Sequence, residues 1–271
     1  MMRPRSDHRL DTADLLDGLG TRRVGRQIIV LPEVDSTNSF ALDRLAVDQR
    51  EAADGSVVFA EYQTAGRGRL GRAWHSPRGA SLLFTALLCS GRSRPPPPRL
   101  VLAGAVAVAS GIERATEVQP VICWPNDIYA RGGKLAGILV EVRSLAGSLP
   151  ATAIGIGINC LQQASHFPPD LRGQVTSLDL EASHAVDRIE VARAVLRELD
   201  RLLDEDQAVG DDALAQAWRS RSADIGAAVT LASEGQIYAG RIIDVHPQTG
   251  LLVQLDGGGR REFDPATTTR L

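Results

Sequence analysis

The sequence predicts an α+β chain of two unequal parts, a large mixed-sheet domain followed by a small β-barrel. Three observations carry this reading. Apolar residues make up 44% of the 271 positions, ample for a buried core. In the middle of the chain, four strand-like segments follow one another without intervening helices, as in an antiparallel or mixed sheet. Towards the C-terminus, short alternating strands are separated by Gly and polar turns, the pattern of a small barrel.

Taken in order, residues 1–25 are polar and charged, with at most a short helix, and read as an N-terminal extension. QIIVLPEV (27–34) predicts a strand, and Asp35, Ser36 and Thr37 offer capping oxygens for a helix from Asn38 to about Val47. SVVFAEY (56–62) and ASLLFTALLC (80–89) predict buried strands on either side of a glycine- and arginine-rich loop. The tract RSRPPPPRL predicts a stiff extended connector, after which 100–115 forms a small-residue helix. VICW, PNDIYA, LAGILVEV and ATAIGIGIN are the clustered strands, the middle pair a hairpin about Arg131-Gly132-Gly133. The continuous apolar run after Lys134 predicts a strand buried on both faces. Helices are expected at about 187–204 and 211–221, and barrel strands at AAVTLA, IYAGRIIDV, GLLVQLD and RREF. A boundary near Ser222 to Ile225 divides a large domain (26–223) from the barrel (224–271).

Several function classes are disfavoured. No apolar run reaches the ~18 residues needed to span a bilayer, and no apolar stretch follows the basic N-terminus, so a soluble, cytoplasmic protein is expected. Cys89, Cys123 and Cys160 lie far apart and read as free thiols, neither a disulfide frame nor a zinc site. A net charge of −3 argues against a protein that coats nucleic acid. Residues 1–25 are too short for a winged helix, so sequence-specific DNA binding is not expected. One detail of composition is sharper: of 30 basic residues, Lys134 is the only lysine. In a chain that uses arginine everywhere else, it marks a place where a compact ammonium is needed.

Three segments offer chemistry. In the loop 63–79, Arg67, Arg69, Arg72 and Arg78 stand with no acidic residue between them, and Gly66, Gly68, Gly71 and Gly79 allow close approach of backbone to a ligand, so a polyanion is the natural partner. The letters also fit G-x-G-x-x-G, but no helix opens inside the glycine run, which rejects a dinucleotide fingerprint. Lys134 lacks the spacing of a Walker A loop. In CWPNDIYARGGKLAGILVE (123–141), Asn126 and Asp127 place an amide and a carboxylate beside an apolar strand, and Lys134 emerges from the glycine turn. In GIGIN (155–159), small residues let something pack on the strand, and Asn159 presents an amide.

DSTN, AEYQTAGRGRLGRAW, WPNDI, GGKLAGILVE and GIGIN, in this order and spacing, resemble the biotin protein ligase family over roughly residues 28–222 and on into the barrel. The resemblance implies a catalytic domain similar to that of class II aminoacyl-tRNA synthetases and a C-terminal barrel of the Src-homology-3 kind. It implies ATP-dependent synthesis of biotinyl-5'-adenylate, with magnesium, and transfer of biotin to a lysine of a biotin carboxyl carrier protein by a monomer or homodimer. It assigns Ser36, Thr37, Asn38 and Gln63 to the biotin head, with the backbone of Gly66 and Arg67. Arg67, Gly68 and Arg69 would embrace the biotin carboxylate and then the adenylate phosphate. Arg72 and Trp74 would help form the nucleotide side, Asn126, Asp127 and Asn159 would contact nucleotide, phosphates or magnesium, and Lys134 would sit on the reacting groups. The metal ligands are not assigned. The glycine loop and the barrel favour biotin over lipoate. Relatives commonly carry a lysine before WPND, where this chain has Cys123.

Overall fold

The computed structural model describes residues 9–48, 52–89, 95–145, 148–204 and 209–271. Strands β1 (Ile28–Leu31), β2 (Val57–Ala60), β3 (Ser81–Leu88), β4 (Val121–Cys123), β5 (Asp127–Ala130), β6 (Gly133–Leu145) and β7 (Ser148–Asn159) make one sheet, ordered β1-β2-β3-β7-β6-β5-β4. Only β1 and β2 run parallel; the other neighbours are antiparallel. The expected hairpin joins β5 to β6, with Arg131 and Gly132 both at positive φ (44° and 89°), as a two-residue turn of the right twist requires.

The side-chain alternation of β2, β3 and β7 sorts two cores. Val57, Phe59, Leu82, Phe84, Ile154 and Ile156 face the main core. Val58, Leu87, Ala151 and Ala153 face a smaller one beneath a helical segment. That segment runs from α2 (Thr37–Phe40) through a π-helical turn (Ala41–Leu45) to α3 (Ala46–Asp48). The main core lies under α4 (Pro97–Ala115) and, later in the chain, α6 (Arg188–Leu203), which cross so closely that a Cβ on Gly111 would meet Val195 at 2.6 Å.

Some expectations change in detail. α4 begins at Pro97, inside the proline tract, because proline's fixed φ and missing N–H suit the first helical turn; positions 92–94 lie outside the described residues. Asp35 accepts from the Ser36 N–H at 2.6 Å, and Ser36, at the N-cap, makes no side-chain capping bond. β6 is buried on both faces only at its start: Leu135, Ala136 and Ile138 are buried, whereas Val142 is 51% exposed.

Residues 9–25 carry the short helix α1 (Thr12–Leu16) and lend Leu10, Leu15, Leu19 and Val24 to the main core. α6 holds this segment with a row of polar groups one turn apart. Arg193 bonds the Asp14 carbonyl, Arg197 those of Gly18 and Leu19, and Asp200 accepts from the N–H groups of Arg22, Arg23 and Val24 at 2.7–2.8 Å.

α5 (Leu178–Glu181) and α7 (Asp211–Arg219) complete the large domain. The C-terminal unit is a five-stranded antiparallel sheet of β8 (Ala228–Ser233), β9 (Gln236–His246), β10 (Gly250–Leu255), β11 (Arg260–Phe263) and β12 (Thr268–Arg270), ordered β11-β10-β9-β8-β12. Val229, Leu231, Ile242, Val245, Leu251, Val253 and Phe263 are buried inside it and continuous with the main core. β12, in TTTR, was not anticipated; it pairs with β8. Among the described residues, no helix is long and apolar enough to cross a membrane.

Candidate functional site

A cleft of about 650 Å³ lies over the α2 face of the sheet. Glycines make its floor. Along β7, Gly155, Gly157 and Asn159 face the cleft while Ile154, Ile156 and Ile158 enter the core, the alternation of any strand. Gly157 lies opposite Gly137 of β6. A Cβ on Gly157 would stand 2.8 Å from Trp74 Cε2, and one on Gly137 3.2 Å from Trp74 Cζ3. The two glycines thus seat the Trp74 indole. Gly155 does the same for Asn38, whose Oδ1 would be 2.4 Å from a Cβ there.

At one end the groups are uncharged. Gln63 Oε1 accepts from Thr37 N at 2.8 Å and from Thr37 Oγ1 at 3.0 Å. Among the described residues its Nε2 has no hydrogen-bond partner, which leaves a donor for a ligand carbonyl. Asn38 receives Thr85 Oγ1 at 2.5 Å and gives its Nδ2 to the Leu139 carbonyl and to Glu141 Oε2.

At the other end lie the cations. Lys134 Nζ stands 2.7 Å from Asp127 Oδ1, off the line of a hydrogen bond, so that this buried oxygen keeps no hydrogen-bond partner. Arg69 donates to Asn126 Oδ1 at 3.4 Å and to the Thr268 carbonyl at 2.7 Å. Burial pushes its guanidinium below the usual value, Asp127 opposes this, and Arg72 adds repulsion. Such a cation is stabilised by an incoming anion. Trp74 Nε1 is buried without a partner. Among the described residues no three His, Cys, Asp or Glu side chains gather as a metal site.

Ser36, Thr37, Asn38, Gln63, Arg67, Gly68, Arg69, Arg72, Trp74, Asn126, Asp127, Lys134 and Asn159 all line this cleft. Gly66 lines a neighbouring cavity behind Trp74. Two of the amides are spent on the protein itself. Asn126 Nδ2 bonds the Ile138 carbonyl at 2.7 Å. Asn159 bonds the Thr176 carbonyl at 3.0 Å and Gln162 Nε2 at 2.9 Å, and so clips the segment after β7 over the cleft.

Sequence reasoning missed the contribution of the small domain. Asp224 takes the Trp124 N–H and the Arg270 guanidinium, each at 2.6 Å, and Thr269 and Arg270 line the cleft. It also missed Glu141, although a lone carboxylate closing an apolar strand was a visible signal. Cys123 lines the cleft as a thiol whose pKa is pushed up to about 11, by burial first and then by Asp224, so it stays protonated and unreactive.

Fold and cleft place the chain in a recognisable class, ligases that handle biotin or lipoate: the Biotin/lipoate A/B protein ligase family matches residues 30–159. The biotin–[acetyl-CoA-carboxylase] ligase of Mycobacterium tuberculosis is 36% identical over 96% of this chain and 93% of its own length. The bifunctional ligase/repressor BirA of Bacillus subtilis is 31% identical over 94% of this chain and 78% of its own. The structure of the Aquifex aeolicus biotin protein ligase in complex with biotin and ATP superposes with a TM-score of 0.72 at 26% identity, covering 91% of this chain and 99% of that one. The chain belongs to the biotin protein ligase family.

Proposed function

We propose that this protein is an ATP-dependent biotin protein ligase, which forms biotinyl-5'-adenylate and transfers the biotin to a lysine of a biotin carboxyl carrier protein. One observation carries the assignment of roles. A single cleft joins an uncharged hydrogen-bonding end, at Thr37 and Gln63, to a cationic end, at Arg69, Arg72 and Lys134. Biotin has the same polarity, an uncharged ureido ring at one end and a carboxylate at the other. Thr37 and Gln63 suit the ring, with Leu83 and Leu139 as apolar wall.

The carboxylate oxygen of biotin attacks the α-phosphorus of ATP, and pyrophosphate leaves. Two anions meet and charge grows on phosphoryl oxygens, so fixed cations are the main requirement and little proton transfer is needed. Lys134 and Arg69 supply that charge, and Arg72 and Trp74 border the nucleotide. Asn126 and Asn159 act by holding the walls. Magnesium brought by the substrate phosphates would find one hard oxygen donor in the Asp127 carboxylate, whose Oδ1 already faces Lys134 Nζ at 2.7 Å, and would offset the phosphate charge. In the second step the neutral amine of the carrier lysine attacks the acyl carbon and AMP leaves. Exchange of labelled pyrophosphate into ATP, run with biotin and with lipoate and followed by addition of a carrier domain, tests the reading. Exchange with lipoate alone, or adenylate that never modifies the carrier, refutes it.

A further inference from the structure

β6 ends its apolar run on Glu141, a carboxylate that the chemistry above does not use. Its Oε2 accepts from Asn38 Nδ2 at 2.7 Å and from Arg67 Nη2 at 2.8 Å. Arg67 Nη1 in turn donates to Ser39 Oγ at 2.7 Å. One carboxylate therefore ties together α2, the glycine loop and β6 around the uncharged end of the cleft.

The charges of the loop and hairpin sort accordingly. Lys134 is paired with Asp127, and Arg67 with Glu141. Arg69 bonds only a neutral amide and a carbonyl, and Arg72 has no carboxylate partner among the described residues. A substrate anion is drawn to Arg69 and Arg72, whereas Arg67 is already neutralised.

We infer that Glu141 is a positioning residue of the ligase: it clamps Arg67 and Asn38, so that the glycine loop stays docked on α2 and Arg67 encloses the biotin end instead of binding phosphate. This rests on the biotin ligase reading. The pair is partly solvated, with side chains 40% and 32% exposed, so it adds little to global stability. Its effect belongs in substrate affinity.

The test compares wild type, Glu141→Gln, Glu141→Ala, Arg67→Ala and the Glu141→Gln/Arg67→Ala double variant in biotin-dependent pyrophosphate exchange. Glu141→Gln keeps an acceptor for Asn38 and loses the charge on Arg67. It should raise KM for biotin roughly fivefold, about the scale of one lost charge contact, leaving KM for ATP and the unfolding temperature near wild type. Glu141→Ala should raise it roughly tenfold. In the Arg67→Ala background, Glu141→Gln should add nothing. Limited trypsin digestion gives an independent readout: the undocked loop should be cut faster after Arg67, Arg69 and Arg72 in both Glu141 variants. Wild-type KM for biotin in Glu141→Gln, or effects of the two single changes that multiply independently, overturns the clamp. Were wild type itself inactive with biotin, the functional reading would fall, and unchanged trypsin cleavage in Glu141→Gln would overturn the clamp separately.

Discussion

Replacing Gly157 by alanine isolates the seat of Trp74. The backbone of Gly157 is ordinary β-strand, with no positive φ, so alanine is locally welcome and gains up to ~1 kcal/mol over glycine. The new methyl would lie 2.8 Å from Trp74 Cε2 and 2.9 Å from Cζ2. Carbon atoms prefer ~3.5–4.0 Å, so the indole must retreat by roughly 1 Å or swing out. Overpacking of this kind costs ~1–3 kcal/mol where the neighbour cannot move. Trp74 belongs to a loop, and its displacement makes the net change in stability small, within about 1 kcal/mol. On the role proposed for Trp74, the nucleotide side then loses its aromatic wall. Base–aromatic stacking is worth ~1–3 kcal/mol, and taking ~2 kcal/mol gives about a thirtyfold rise in KM for ATP. Pyrophosphate exchange at varied ATP, with thermal unfolding of the same preparations, reads both quantities. A Gly157→Ala enzyme with wild-type KM for ATP and unchanged stability would falsify the claim that the glycine floor exists to seat Trp74. Gly155→Ala is the contrasting case: Asn38 is fixed by Thr85, Leu139 and Glu141 and cannot retreat, so stability itself should fall by about 2 kcal/mol.

Four further outcomes are expected. Lys134→Arg should slow adenylation nearly as much as Lys134→Ala, about a hundredfold, because a planar fork cannot replace a compact ammonium 2.7 Å from Asp127; near-wild-type exchange would show that charge alone suffices. Asp200→Ala removes the acceptor of three backbone N–H groups and should cost about 3 kcal/mol in urea unfolding, with a loss below about 1 kcal/mol meaning that the N-terminal segment is not fixed by α6. Cys123, with its pKa raised to about 11 from 9.0, should resist iodoacetamide at pH 8 in the native protein and react only as the pH nears the raised value, whereas the unfolded chain reacts near pH 9. No DNA site should be protected in footprinting with biotin and ATP present, and any residual gel shift should vanish steeply with salt; protection at physiological salt would contradict this.

Much of the cleft was legible because its residues sit in short motifs whose chemistry is local. Thirteen positions named from sequence line one cavity, since strand alternation carries Gly155, Gly157 and Asn159 to a single face. What sequence could not reveal is where those side chains spend their hydrogen bonds. Asn126 and Asn159 look like presented amides, yet each is consumed by a nearby carbonyl whose position depends on tertiary folding. The start of α4 was misplaced because prolines read as breakers until one knows that they fall in a first turn. The wall contributed by Thr269 and Arg270 was illegible for another reason: no periodicity links the terminal strand to Asp224, which holds Arg270, or to the tryptophan a hundred residues before Asp224 that the same carboxylate binds.

Lys134 carries the only ε-amine of the chain, and its side chain is just 28% exposed within the cleft. Acyl-adenylates are indiscriminate acylating agents towards neutral amines. An enzyme that makes one while clothed in guanidinium groups, which stay protonated and non-nucleophilic, is almost chemically deaf to its own product. Activated biotin that escapes passes over a surface with nowhere to attach except the chain's own amino terminus, and remains available for a carrier or for hydrolysis. The same scarcity is useful at the bench. An amine-directed reagent has one side chain to find besides the α-amino group, and its reaction there, located by peptide mapping, reports the occupancy of the cleft.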